Sequence, residues 1–333
     1  MGTRLTDADE GIHPVGPEDN WNESRYIDYW DPTSGVGGWL RIGMRPNEGR
    51  AEMSSCTYLP DGRAAFFFER APIDGNGLVA GGQSWEIDDP YRRNRVRYRG
   101  EVLLLDDPWL LTDPKTAYGT SPRAAAEIDL EVVSQGLDAV MGFDQDHIDR
   151  IFLPGQASFH YQHLGRTTGT VRIGDRSWQV DGRGGKDHSW GPRNWHAKIY
   201  LRWLSCSVDD DNGFMLTRAV GPTKKTRSGF VWEDGAFHLV DDFTMRNRYA
   251  DGPNYELLGT EVQIRAGTRN WRATGTPQAW LPARHRQPGA DGKEAILRIV
   301  KSPTSWVWGG RDGTGHCEWH DLMVDGKPIA LDD

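Results

Sequence analysis

Apolar and polar residues alternate with a period of two from about residue 23 to the end of the chain, and turn residues interrupt the alternation at short intervals. A strand sends successive side chains to opposite faces, whereas a helix repeats every 3.6 residues, so this pattern restricts the chain to β-structure. It predicts strands over Glu23–Trp30, Gly38–Met44, Ala51–Tyr58, Ala64–Arg70, Arg95–Leu105, Glu127–Ser134, Ala157–Leu164, His196–Val208, Tyr255–Ile264 and Gly315–Val324, with others between. Cues such as Pro60-Asp61-Gly62, Asp211-Asn212-Gly213 and Asp325-Gly326 mark hairpins. Helical signal is confined to Ser121–Ala126 and Gly142–Ile151. Many short strands at this spacing predict an all-β fold of antiparallel sandwich or barrel type. Nucleotide-binding glycine motifs, a serine nucleophile elbow and a regular internal repeat are absent from the sequence.

The 333 residues suffice for two domains, and glycine density peaks where the strand rhythm resets, near 165–195. We therefore expect one domain over 20–180 and another over 181–333. The balance of 39 basic and 48 acidic residues argues against a nucleic-acid partner. The run Arg92 to Arg99 alternates charge with Val96 and Tyr98, as the solvated face of a strand does. Cys56, Cys206 and Cys317 form no CxxC pair, which excludes a disulfide framework and suits a reducing compartment. No apolar run has signal-peptide or membrane-spanning length, so the expected location is cytoplasmic, without membrane insertion. Fifteen tryptophans exceed the needs of a core this size, so they either line an apolar chamber or serve packing alone.

The strongest concentration of chemistry is Asp181-Gly-Arg-Gly-Gly-Lys-Asp-His-Ser-Trp-Gly-Pro-Arg-Asn-Trp195. Gly182, Gly184 and Gly185 permit backbone geometries closed to other residues. Asp187 and His188 form a titratable pair, Arg193 is a fixed cation, and Trp190 and Trp195 are large π surfaces. A carboxylate and an imidazole placed together shift each other's pKa and keep a proton available near neutrality. The same residues also suit a structural corner, with Asp187 capping backbone N–H groups and the indoles serving as core.

The string Asp187-His188-Ser189-Trp190-Gly191, followed by Arg193 and Trp195, resembles the Asp-His-x-Trp-Gly signature of the hydroxyneurosporene synthase (carotenoid 1,2-hydratase) superfamily. Its wider relatives include kievitone hydratase and lipocalin-like cyclases, among them Diels–Alderases. Asn22-Glu23-Ser24-Arg25-Tyr26, Arg41-Ile42-Gly43-Met44-Arg45-Pro46-Asn47 and the late Gly315–Glu318 segment also resemble a bacterial branch of that superfamily. The resemblance implies two lipocalin-like β-barrel or sandwich domains packed together, with an apolar pocket near their junction. It implies action on hydrophobic isoprenoid or polyketide-like substrates without metal or organic cofactor, by water addition or cyclisation. On that likeness the hydratase His and Trp fall on His188 and Trp190, and the adjoining acid on Asp187. The hydratases also use a downstream Tyr and Asp. Tyr200 and Asp209 are nearest, but the Tyr-x-Asp spacing is absent.

On the strand from His196, the even positions Lys198, Tyr200 and Arg202 make a polar face, expected to be solvated, and Trp203 lies on the apolar one. His316, Glu318 and His320 share a face and suit either pocket-lining acid–base work or a facial metal triad. His160 and His163 point to opposite faces, and Phe66-Phe67-Phe68 reads as core.

The leading expectation is a cofactor-independent acid–base enzyme acting on a hydrophobic, terpenoid-like molecule by hydration, dehydration, cyclisation or isomerisation. Asp187 is the expected acid, His188 its partner, and Tyr200 a further catalytic group. Trp190, Arg193, Trp195, Trp203, His316 and Glu318 are the expected substrate contacts, and no metal is expected. The alternatives are a lipocalin-like carrier that binds without transforming, and a metal-dependent enzyme built on His316, Glu318 and His320. The oligomeric state is left open, a homodimer included.

Overall fold

The computed structural model describes residues 5–331 except 74, 76, 137–139, 143, 144 and 289–293. It is nearly all β, with two large antiparallel sheets, as two lipocalin-like domains require. The first sheet is built from β1 (Trp21–Asp31), β2 (Val36–Arg45), β3 (Arg50–Tyr58), β4 (Ala64–Pro72), β5 (Val79–Ala80), β6 (Gln83–Asp89), β7 (Arg93–Leu105), β8 (Arg123–Ser134), β9 (Phe159–Ile173) and β10 (Arg176–Pro192). Its order is β4-β3-β2-β1-β10-β9-β8-β7-β6-β5, and β4 also pairs with β7, which closes a barrel. Closure removes the free edges that a sheet of this length would otherwise expose.

The second sheet holds β11 (Tyr200–Ser207), β12 (Gly213–Val220), β13 (Lys225–Glu233), β14 (Ala236–Leu239), β15 (Asp242–Tyr249), β16 (Leu257–Ala266), β17 (Arg269–Pro277), β18 (Leu281–Pro288), β19 (Glu294–Trp308), β20 (Arg311–Val324) and β21 (Lys327–Pro328). Its order is β14-β13-β12-β11-β20-β19-β17-β16-β15, with β18 on β19 and β21 on β20. The chain passes from one sheet to the other between Pro192 and Tyr200, so a division at 180/181 falls inside β10. The glycine-rich stretch is thus a long strand of the barrel and not a linker.

Helices lie at α1 (Pro114–Thr120) and α2 (Gln145–Ile151). The helix expected over Ser121–Ala126 is a correction: α1 precedes it, and Arg123 onwards is β8, paired to β7 from Leu103↔Arg123. Asp113 caps α1, its carboxylate 2.6 Å from the Thr116 hydroxyl, and Pro114 occupies the first turn. The Gly142–Ile151 reading holds for α2, while residues 143 and 144 lie outside the described residues.

Alternation fills the barrel with Ile27, Tyr29, Leu40, Ile42, Phe67, Val96, Leu130 and Val171, and the second sheet with Phe214, Leu216, Ile264, Trp306 and Trp308. Most of the tryptophans therefore pack; two of the fifteen, Trp39 and Trp195, line the cavity between the sheets. The Arg93–Arg99 segment is the outer face of β7, where Arg95 and Arg97 meet Asp129 and Arg93 meets Glu131. The even face of β11, expected to be solvated, is buried: Arg202 makes a two-pronged pair with Asp321 at 3.0 and 2.9 Å and donates to the Ala330 carbonyl.

A short 3₁₀ turn, Asp7–Glu10, drives Glu10 into the barrel's end, where it is 1% exposed. Arg25 Nη1 (3.0 Å), Lys186, the Tyr161 hydroxyl (2.6 Å) and the Tyr91 N–H (3.1 Å) all donate to its carboxylate. Burial alone would raise the Glu10 carboxyl, but Lys186 and then Arg25 outweigh it and hold the group well below the usual carboxylate range. Removing one partner of a buried ion cluster strands the rest and typically costs about 3–5 kcal/mol. Glu10→Ala, with Arg25 and Lys186 left unanswered, should lose that much in urea denaturation; a loss under about 1 kcal/mol would show that the cluster does not hold the barrel end.

Candidate functional site

Strand β10 carries the whole Asp-His-x-Trp-Gly string, between β1 and β9, in register Tyr26↔Asp187, Arg25↔His188 and Ser189↔His160. Consecutive strand residues face opposite ways, so the motif is divided between two compartments. Lys186, His188 and Trp190 point to the barrel's interior side, and Asp187 and Ser189 to the space between the two sheets. The ladder to β1 skips two residues between Ile27↔Lys186 and Trp30↔Arg183. There the Asp28 carboxylate accepts from the Gly185 N–H at 2.8 Å, and a Cβ on Gly184 would sit 2.2 Å from the Asp28 carbonyl oxygen. Gly191, at φ +108°, ends the strand against Ser158.

The space outside the barrel is a cavity of about 420 Å³ between β1–β4, β9 and β10 on one side and β18–β20 on the other. One part of its wall is apolar or aromatic: Tyr26, Trp39, Phe66, Phe68, Leu111 and Ile299. Phe67 is core, stacked on Tyr98 at 4.2 Å, Phe66 is core that also reaches the cavity wall, and Phe68 is an exposed part of that wall. The rest is charged, including Arg41, Asp187, Arg193, Lys301, Glu318 and His320.

Asp187 lines this chamber. Burial pushes its carboxyl up to about 7, against the pull of Arg193, and Glu318 pushes the same way. Its nearest imidazole is His160, diagonally across on β9, with Nε2 3.8 Å from Asp187 Oδ2. Burial and then Arg193 hold His160 well below the ordinary imidazole value, so it is neutral, and neither ring nitrogen has a partner. Across the cavity Glu318 is the opposite case. Burial would raise it, but Lys301 and a 2.7 Å hydrogen bond from His320 outweigh that and keep it ionised. Because an ionised carboxylate only accepts, His320 Nε2 carries the proton there. Two carboxyls driven in opposite directions in one chamber is the arrangement that separates acid from base. Lys301 also joins the sheets: its Nζ sits 4.2 Å from the Tyr26 and Trp39 ring centres, and its carbonyl accepts from the Tyr58 hydroxyl at 3.0 Å.

Of the residues singled out from sequence for chemistry, Asp187, Arg193, Trp195, Glu318 and His320 line the cavity, as does His160. Arg193 donates to the Gln156 carbonyl at 3.1 Å and lies over Trp195. The pairing of Asp187 with His188 is corrected. His188 is fully buried on the other face, bonded through Nε2 to Glu23, with His13 and Trp190 beside it. Trp190 stacks on His13 at 3.7 Å and does not line the cavity. Tyr200 is buried beside Arg202 and Arg218 in β11, away from the cavity, and Asp209 belongs to a turn, accepting from the Asp211 N–H. Trp203 is core, edge-on to Tyr26 at 5.6 Å, and supports that ring from behind.

His316 is buried near Tyr58 and lies outside the cavity wall. Among the described residues, the group of three potential metal donors lying within 4.8 Å of one another is His13, Glu23 and His188, and the His316–Glu318–His320 set does not form one. Sequence reasoning missed Tyr26, Trp39, Arg41 and Lys301, and did not connect His160 with Asp187.

The protein is similar along nearly its whole length to solved structures. A Nitrosomonas europaea protein assigned as AttH superposes with a TM-score of 0.60 at 14% identity, over 95% of this chain and 96% of the other. CghA gives 0.53 at 12% identity, over 95% of each chain. Kievitone hydratase from Nectria haematococca gives 0.52 at 9% identity, over 92% and 93%. At these identities the likeness is one of fold. No curated protein matches the sequence. A model of the domain of unknown function DUF7064 matches residues 6–323, and the chain belongs to that family.

Proposed function

We propose that the protein is an acid–base enzyme that transfers protons to and from a small, largely apolar substrate in the chamber between its sheets. The observation that carries this reading is the pairing of an Asp187 carboxyl held near neutrality with a neutral His160, 3.8 Å away, in the wall of the cavity between the sheets. A carboxyl of this kind is protonated for part of the time at neutral pH and donates to substrate, while the imidazole accepts. Hydration, dehydration, isomerisation and cyclisation all reduce to that exchange. For hydration, water adds its oxygen to one alkene carbon and yields a proton to His160. Asp187 protonates the other end, and the proton returns from imidazole to carboxylate to reset the pair.

The electrostatics of the wall favour one version of this chemistry. A terpenoid tertiary cation needs open π faces and few fixed cations around it. Here Lys301 already covers Tyr26 and Trp39, and Arg41 and Arg193 sit over Trp195. Fixed cations stabilise negative charge that develops on oxygen. The reading is therefore a substrate with a carbonyl conjugated to its alkene, reacting through an enolate, with Lys301 and Arg193 near the oxygen and Phe66, Phe68 and Ile299 against its apolar body. The hydratase among the structures of similar fold is consistent with this class of reaction.

Incubation with conjugated enones in D₂O, followed by mass spectrometry, should show enzyme-dependent uptake of deuterium at carbon. Asp187→Asn should reduce that rate about 100-fold or more with folding intact, and unchanged exchange would remove Asp187 from the chemistry. Because the acid must be protonated, the wild-type rate should fall as pH rises through about 7. A rate that climbs through that range instead would make Asp187 a base.

A further inference from the structure

The segment joining the two sheets places Trp195 in the cavity wall, and three cations converge on its indole. Arg193 lies 4.6 Å from the ring centre, Arg41 5.1 Å and Lys198 5.4 Å. They come from three places, β2, the residue after β10, and the approach to β11, so folding alone assembles them. None has a carboxylate partner among the described residues. Arg193 bonds a backbone carbonyl and reaches toward Ser189 Oγ at 3.5 Å, Arg41 Nη2 is buried without an acceptor, and Lys198 is 6% exposed. The indole N–H of Trp195 is a fourth buried donor without a partner.

Nearby carboxyls do not neutralise the group. Glu318 is bonded by Lys301 and His320, and Asp187 is held toward its neutral form. Arg41 and Arg193 are half-buried and Lys198 is buried, and cations held this far from water without carboxylate partners are costly, so proteins that keep several together meet them with a bound anion. Repulsion is already visible in the members: burial and then Arg41 lower Arg193 to about 10, and burial and then Arg193 lower Lys198 to about 7. The whole chain carries a net charge of −9, so this excess of positive charge is local to the site. Three cations of the cavity wall are answered by carboxylates, Arg70 by Glu52, Arg286 by Glu294 and Lys301 by Glu318.

We infer that Arg41, Arg193 and Lys198, gathered around Trp195, form a subsite for an anionic oxygen group, and that the substrate is an amphipathic acid. Its carboxylate is seated against the indole edge and its apolar body runs along Phe66, Phe68 and Ile299. This rests on the reading of the cavity as a substrate chamber and adds the class of molecule that enters it. The head group would fix which carbon lies beside Asp187.

The test compares dodecanoate with dodecan-1-ol, which share a chain and differ in charge, by isothermal titration of the full-length protein at pH 7. Charge-assisted contacts of this kind are worth about tenfold or more in affinity. Dodecanoate should bind at least about tenfold tighter than the alcohol. Arg41→Met and Lys198→Met should each erase most of that preference while leaving alcohol binding unchanged, and Arg41→Lys should retain part of it. Equal affinity for acid and alcohol in the wild type, no dodecanoate binding at millimolar concentration, or equal weakening of both probes in the variants would overturn the subsite. Asp187→Asn separates the two claims. A retained preference for dodecanoate in that variant with undiminished deuterium exchange removes the catalytic reading alone, and lost exchange with no preference in the wild type removes the subsite alone.

Discussion

The pleat of β10 decides what this molecule can do. Its side chains alternate between the barrel side and the space between the sheets, so neighbours in the sequence become residents of different compartments. Lys186 and His188 go inward to a closed set of ion pairs with Glu10 and Glu23. Asp187 goes outward, where the facing sheet has Glu318, Lys301 and His320 rather than an apolar core. The inward half is fully buried and Asp187 half-buried, and the chemistry differs because of what meets them. Inside, each charge has a partner and the function is to hold the barrel end closed. Outside, the carboxyl of Asp187 has no arginine or lysine in bonding distance, so burial dominates and raises it to about 7.

The two sheets depend on each other for this environment. Lys301 crosses the gap to the faces of Tyr26 and Trp39 while it holds Glu318 ionised. The same side chain thus fixes the spacing of the sheets and the charge of the second carboxylate. Trp203 and Tyr58 brace the aromatic side of that contact, through Tyr26 and the Lys301 carbonyl. A chamber between two sheets, each stable through its own core, leaves its lining free to carry unpaired charge, which a barrel interior packed with Ile27, Leu40 and Val96 does not.

Fold class was legible in the sequence because alternation and hairpin cues are local properties, and a strand such as Glu127–Ser134 falls within β8. The helix at Ser121–Ala126 was misplaced because three consecutive alanines, Ala124–Ala126, favour helix by propensity, while pairing to β7 decides their state. That Asp187 belongs to the candidate site was legible, but that His160 lies beside it was not. Reading residues 181–195 as a corner between domains hid the consequence of their being a strand, namely that Asp187 and His188 cannot share a site. His160 becomes visible only through the β9–β10 register, and Arg41 and Lys301 only through the packing of one sheet on another. No spacing rule within one chain segment encodes those contacts.

The central claim is that the Asp187 carboxyl is raised to titrate near neutral pH because of where the fold puts it. It is tested most directly by titrating the Asp side-chain carboxyls by ¹³C NMR and identifying the Asp187 resonance by its loss in Asp187→Asn. A midpoint near 7 is the result the account predicts. A midpoint near the ordinary aspartate value of about 4 would mean that water or a cation reaches the carboxylate, and would contradict the account.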